Sequence, residues 1–172
     1  MLLKIWGMVL IILSSGMFGW SYSRDYELRI IQLREFQKIL MLLKGEINYH
    51  NAGIREAILI VSKQNETIMG EFLREILKNF AKEVPLKEAW YTASDSFLRN
   101  HTKLKKQEIS IVKELGTNLG ITDRNTQIHN IMGYMEVLEL SIRELEHDRI
   151  GKCKMYKTLG VMGGAFVAVI FL

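Results

Sequence analysis

Charge is absent from both ends of this chain. Ile5 to Ser23 is a run of 19 residues without a charged side chain, and Thr158 to Leu172 is a second run of 15. Lys4 and Arg24 bracket the first, and Lys157 precedes the second. A helix rises about 1.5 Å per residue, so the first run reaches roughly 28 Å, about one bilayer core. Ile5 to Leu13 is apolar on every side, and Trp20, Tyr22 and Tyr26 follow where an interfacial aromatic belt sits. A cleaved signal peptide is the competing reading. Its core is usually shorter, and Ser21-Tyr22-Ser23 imitates a cleavage site poorly. The second run reaches about 22 Å, enough to span with Lys157 snorkelling and some local thinning of the bilayer. A buried core helix or an interfacial segment is its alternative.

Small residues recur four apart in both runs: Ser15, Gly19 and Ser23, then Gly160, Gly164 and Ala168. Such spacing lets helix backbones approach closely, although glycine is also simply common in membrane helices. Arg149, Lys152, Lys154 and Lys157 cluster before the second run. Positive-inside logic then places residues 24–157 in the cytoplasm. The expected organisation is an anchor at 1–23, a helical domain at 24–157 and a second membrane segment at 158–172.

Proline occurs once in the 172 residues, at Pro85, where average usage gives about nine. Sandwiches and barrels need many turn residues, so long unbroken helices fit better. Cys153 is the lone cysteine, which excludes an intramolecular disulfide or a multi-cysteine metal site. Without Lys4, the charges are 22 basic and 19 acidic, too balanced for a nucleic-acid footprint.

Periodicity divides the middle into six helices. Leu28, Ile31, Phe36, Ile39, Leu43 and Ile47 give one stripe over 24–49, and His50 to Gly53 forms a turn. Ile54 to about Lys63 is the second helix, and Ile68 to Phe80 the third. Pro85 opens the fourth, with Leu86, Ala89, Trp90, Ala93 and Phe97 on one face. Thr102 is placed to cap the fifth, whose spacing runs Leu104, Glu108, Ile111, Val112, Leu115 and Leu119. Gly120 is suited to end it in the left-handed region. Thr122 or Asp123 caps the sixth, where Ile128, Ile131, Met135, Leu138, Ile142 and Leu145 form a heptad seam. No proline follows, so one long helix, or two nearly coaxial ones meeting near Gly151, is expected. The fold class is all-α: a six-helix antiparallel bundle with N- and C-terminal transmembrane helices.

No catalytic constellation stands out. His50, His101, His129 and His147 have no partner at metal-ligand spacing, and no phosphate-binding or nucleophile motif occurs. Gly116 and Gly120 share G-x-x-x-G spacing at a helix end, which reads as close helix packing. Asn65-Glu66-Thr67 and Asn100-His101-Thr102 match the glycosylation pattern by chance.

Three segments carry a family resemblance. Leu43-Lys44-Gly45-Glu46-Ile47-Asn48-Tyr49, followed by Ile54-Arg55-Glu56-Ala57, is similar to an E-I-x-Y turn leading into an L-x-E-A helix. Pro85-Leu86-Lys87-Glu88-Ala89-Trp90 is similar to a second such element. Leu115 to Asp123 resembles an L-G-x-x-L-G-x-x-D segment before a long last helix. With its hydrophobic ends, the whole chain resembles the stage III sporulation protein AB family of endospore-forming bacteria. Gly53 departs from a proline common there.

The resemblance implies membership of a channel complex between mother cell and forespore. It also implies a soluble domain similar to the helical domain of the F component of type II secretion. By that analogy the chain is a non-enzymatic scaffold in the mother-cell-derived membrane around the forespore, with its soluble domain in the cytoplasm. Expected partners are the membrane and other stage III sporulation channel proteins, above all the cytoplasmic ATPase. A homo-oligomer is allowed, and no cofactor, metal, nucleic acid or small-molecule substrate is expected. Glu46 and Tyr49 are candidates for a partner surface or, equally, for a helix-end contact inside the bundle. A membrane-anchored signalling adaptor or a holin-like protein is the alternative function.

Overall fold

The computed structural model describes residues 2–80, 84–120 and 123–170, with side chains described over 24–80, 84–120 and 123–151 and at Met155, Thr158 and Met162. Among these residues the chain forms six helical stretches and no strand. They are α1 (Leu2–Tyr49), α2 (Ile54–Gln64) and α3 (Ile68–Phe80), then α4 (Leu86–Ala93, prolonged by a π-helical turn at Ser94–Leu98 and by Arg99–His101). α5 (Lys106–Asn118) and α6 (Arg124–Ile170) complete the order. α1 starts at Leu2, ahead of the first charge-free run, and continues past Arg24 without a break, and α6 passes Gly151 unbroken. Ser15, Gly19, Gly160, Gly164 and Ala168 lie outside the described side chains, as do Lys152, Lys154 and Lys157. Among the described residues, no helix is long and apolar enough to cross a membrane.

Two units emerge, one of residues 29–142 and one of residues 1–28 with 143–172. In the smaller unit, Arg149 pairs with Glu27 at 3.5 Å. Tyr26 and Leu145 are buried there.

The larger unit is an up-and-down bundle, and its contacts fix each helix direction. Glu108, at the start of α5, meets Arg29 of α1, while Gly120, past the end of α5, lies against Ile54 and Leu86. α5 therefore runs parallel to the α1 segment in this unit, and α2 and α4 run back against it. Gln37 of α1 donates to the Met135 carbonyl oxygen at 3.4 Å and to Glu139 at 3.3 Å. Arg124 donates to the Asn48 carbonyl and the Asn51 side chain. α6 is thus antiparallel to α1. Ile131, Leu138 and Ile142 of that seam are fully buried.

At the centre, Phe36, Phe72 and Trp90 meet edge to face, with centroids 5.5–6.5 Å apart. Aromatic rings prefer such edge-to-face contacts because a positive rim meets a negative face. The indole Nε1 donates to the Val112 carbonyl at 2.8 Å, so the buried ring keeps its polar atom satisfied. Gly116 makes room for it: a Cβ there would fall 2.1 Å from the Trp90 ring. Close packing at the G-x-x-x-G segment is therefore real, and it serves an indole rather than a second backbone.

Several local expectations hold. Gly120 has φ +82° beyond the end of α5, a conformation that costs glycine least. Asp123 caps α6, its carboxylate accepting from Thr126 N at 3.2 Å and Thr126 Oγ1 at 2.6 Å. Pro85 stands one residue before the first turn of α4, and its carbonyl receives Glu88 N and Ala89 N.

Three details differ. Ile31 is 45% exposed, and the inward positions beside it are Arg29, Ile30 and Leu33, whereas Phe36, Ile39, Leu43 and Ile47 of the same stripe are buried as expected. In α4 the π-helical turn inserts one residue, so Leu98 rather than Phe97 is fully buried. Thr102 ends α4, donating to the Leu98 carbonyl at 2.5 Å, and Lys105 takes the cap position of α5.

The α2–α3 turn is pinned by Arg74, which donates to the carbonyls of Ser62 (2.7 Å) and Asn65 (3.1 Å). Asn65 is itself buried, with Nδ2 donating to the Val61 carbonyl at 2.8 Å. The amide of the first N-x-T pattern is therefore committed inside the fold.

Gly116→Ala forces a methyl group into the indole and is expected to lower stability by about 1–3 kcal/mol, the usual cost of overpacking. Gly45→Ala, at an open helical position, is expected to be neutral or to stabilise by up to about 1 kcal/mol. Chemical denaturation followed by tryptophan fluorescence reads both.

Candidate partner-binding surface

Glu46 and Tyr49 sit in the last turn of α1. The Glu46 carbonyl accepts from His50 N and Ala52 N, both at 3.2 Å, and its carboxylate meets His50 Nδ1 at 2.9 Å. Asn51 follows with φ +54°, a left-handed position that asparagine tolerates better than most residues. Glu46 thus shapes the end of the helix, and its side chain is 16% exposed. Tyr49 points outward and is 79% exposed. The two residues divide the roles: Glu46 supports the turn, and Tyr49 presents a surface.

The same end of the unit gathers the other motif segments. Ile54-Arg55-Glu56-Ala57 opens α2, and Leu86-Lys87-Glu88-Ala89 opens α4. In each, the final alanine is fully buried while the basic and acidic residues in the middle are exposed. Glu56 and Glu88 lie in first turns, where a carboxylate faces the positive end of the helix dipole. A Cβ on Gly120 would stand 3.1 Å from Leu86 and 3.4 Å from Ile54, so the L-G-x-x-L-G segment closes between the two helix starts. Arg124 then ties α6 to the α1 turn through Asn48 and Asn51. Arg55 lies 5.0 Å above the Phe80 ring at this end. The result is an exposed tyrosine on the same end as alternating charges: Arg55, Glu56, Lys87, Glu88 and Arg124.

This convergence can be compared with known proteins. The family model described as stage III sporulation protein AB matches residues 4–172. The chain belongs to that family. A relative named stage III sporulation protein AB, from Bacillus subtilis (strain 168), is 28% identical over 180 residues, covering 99% of this chain and 100% of the relative. A solved structure of a stage III sporulation protein AB is 26% identical, with a TM-score of 0.64, and the match covers 72% of this chain and 98% of that one. Membership of this family assigns the chain a role in sporulation.

Charge inside the unit is concentrated at the opposite end. The Arg29 guanidinium donates to both Glu108 carboxylate oxygens, with Nε–Oε2 at 3.3 Å. Glu108 also accepts from Lys105 N, which caps α5. Glu108 was legible as part of the α5 stripe, but its partner was not, because Arg29 is 79 residues away. Nearby, Glu35 Oε2 is buried without a hydrogen-bond partner. Burial pushes its carboxyl above the ordinary range, against a hydrogen bond from Thr67 and the attraction of Lys38. Among the described residues, no group of His, Cys, Asp and Glu is arranged to hold a metal ion.

Arg29→Met leaves a buried carboxylate unpaired and is expected to cost about 3–5 kcal/mol. Adding Glu108→Gln, which keeps the cap but removes the charge, is expected to recover more than half of that in denaturant titrations. For Glu35, a folded pKa above the unfolded one means that ionisation opposes folding. Its contribution is most favourable below the unfolded value of 4.5 and is lost as pH rises through the folded value. Glu35→Gln is therefore expected to raise the melting temperature at pH 7 by more than at pH 4.

Proposed function

We propose that the chain is a non-enzymatic, membrane-anchored scaffold of the sporulation channel between mother cell and forespore. It holds a cytoplasmic ATPase against the membrane part of that channel. The charge-free runs 5–23 and 158–172 anchor it in the mother-cell-derived membrane around the forespore. The basic cluster Arg149, Lys152, Lys154 and Lys157 keeps the helical domain in the cytoplasm. Family membership supports the sporulation setting. The resemblance to the type II secretion F component supports the choice of an ATPase as partner, as an analogy of fold.

One observation carries the docking site: all three motif segments and Tyr49 meet at a single end of the bundle. An exposed aromatic ring on a surface of mixed charges is the usual composition of an interface anchor with its polar rim. Buried ion pairs and caps elsewhere in the unit serve its own stability, whereas Tyr49 serves nothing inside the fold that its 79% exposure reveals.

Tyr49→Ala is expected to leave the melting temperature within a degree or two, yet to weaken ATPase co-purification from sporulating cells by about thirty-fold, the scale of an interface anchor. Glu46→Ala is expected to alter the turn and to have the smaller effect on binding. Undiminished co-purification with Tyr49→Ala would sink the docking site. Labelling of Asn100→Cys by an impermeant reagent from outside the cell would remove the ATPase reading altogether.

A further inference from the structure

The outward face of α1 carries a glycine that the fold itself does not use. Gly70 and Gly116 have backbone or ring atoms where a Cβ would stand, and Gly120 has a positive φ. Gly45, Gly133 and Gly151 have nothing within 4 Å of that place. Gly45 lies inside α1, where glycine weakens a helix about fourfold in the folding equilibrium relative to alanine. Of the three open glycines, only Gly45 belongs to a motif segment and shares a face with Tyr49.

The rest of that face is patterned. Lys38, Leu42, Gly45 and Tyr49 follow at steps of 4, 3 and 4, which aligns them along one side of the helix. Lys38 and Tyr49 are exposed, and Leu42 is half-buried. Met41, 56% exposed, stands beside them. The buried positions Leu40, Leu43 and Ile47 lie on the opposite side. The stretch from Lys38 to Tyr49 covers three turns, about 17 Å. Along it the outward charge has one sign. Glu35 is turned to Thr67, and Glu46 meets His50 with little of its side chain exposed. Lys44 has no hydrogen bond or ion pair among the described residues, and Lys38 has only the attraction of Glu35.

We propose that this face of α1 receives a helix of the docking partner, crossing closest over Gly45 and flanking its own apolar stripe with acidic residues. The inference rests on the docking site proposed above and specifies what the partner presents to it. A missing Cβ matters to a rigid backbone, because the side chains at a helix crossing set how near the two axes come. Neither a bilayer surface nor a flexible loop needs that space. Leu42 and Tyr49 stand one turn to either side of Gly45, the spacing by which helix-on-helix recognition places its anchors. Lys38 and Lys44 meet the acidic flanks, and such complementarity governs orientation and rate of approach more than affinity.

The test follows the ATPase that co-purifies with the full chain from sporulating cells. Gly45→Ala is expected to keep or raise the melting temperature and yet to lower ATPase recovery about tenfold, the effect of one methyl group too many in a close contact. Lys38→Glu with Lys44→Glu is expected to lower recovery about fivefold at low salt and less at high salt. A photo-crosslinking residue in place of Met41 is expected to capture an ATPase peptide whose apolar residues recur at steps of three and four, with Asp or Glu beside them. Full recovery with Gly45→Ala, while Tyr49→Ala loses the ATPase, overturns the helix proposal and leaves the docking site standing. A Gly45→Ala chain that loses melting temperature together with recovery also overturns it, since the glycine then serves the fold. So does crosslinking to lipid or to a second copy of this chain. Undiminished recovery with Tyr49→Ala overturns the docking site and the helix together.

Discussion

The larger unit is organised around one indole. Trp90 lies in a notch that exists only because Gly116 has no side chain, and its N–H reaches the Val112 carbonyl one turn earlier on the same helix. Phe36 and Phe72 close over the ring from α1 and α3. Four helices are thereby fixed by a single residue. A ring held by both a steric notch and a hydrogen bond has one position, so α4 and α5 cannot slide past each other. Everything at either end of the bundle inherits its register from this point.

That register gives the two ends different characters. Helix starts and turns meet at the Tyr49 end, where short motifs repeat the same design: an apolar residue, an exposed charge pair and a buried alanine. The other end holds the Arg29–Glu108 pair, the buried Glu35 oxygen and the connection at 102–105 between α4 and α5. Buried ion pairs contribute less to stability than their Coulomb attraction suggests, because both charges lose water. Here the pair has a second effect, since Glu108 joins α1 to the cap of α5. It specifies where that connection lies.

Much of the fold was legible in the sequence because helices repeat locally. The six stretches, the heptad seam, the left-handed Gly120 and the Asp123 cap all follow from neighbours within a few residues. What was not legible depends on distance. The partner of Glu108 lies on a different helix, as does the ring that needs Gly116. Thr102 looked like a cap for α5, but Glu108 already supplies that function from inside the helix. Ile31 falls on the stripe by spacing alone, and spacing does not weigh a buried arginine as an inward position. Arg29 is buried there. For the candidate surface, the motifs were visible and their meeting was not, since only the folded chain brings 54, 86 and 120 together.

The π-helical turn at Ser94–Leu98 has a consequence for azimuth. One additional residue in a helix advances everything after it by roughly 100°, about the angle between neighbouring positions. Arg99 and His101 therefore owe their compass bearing to an inserted residue. In an uninterrupted α-helix they would point around the corner of the bundle. Removing a single residue between Ala93 and Arg99 would convert the turn to regular α-helix and leave Arg99 and His101 on their present face, whereas regularising it with every residue kept would turn them away from the lysines of the following loop. The distribution of charge at this end is thus encoded partly by a residue count and not only by residue identity.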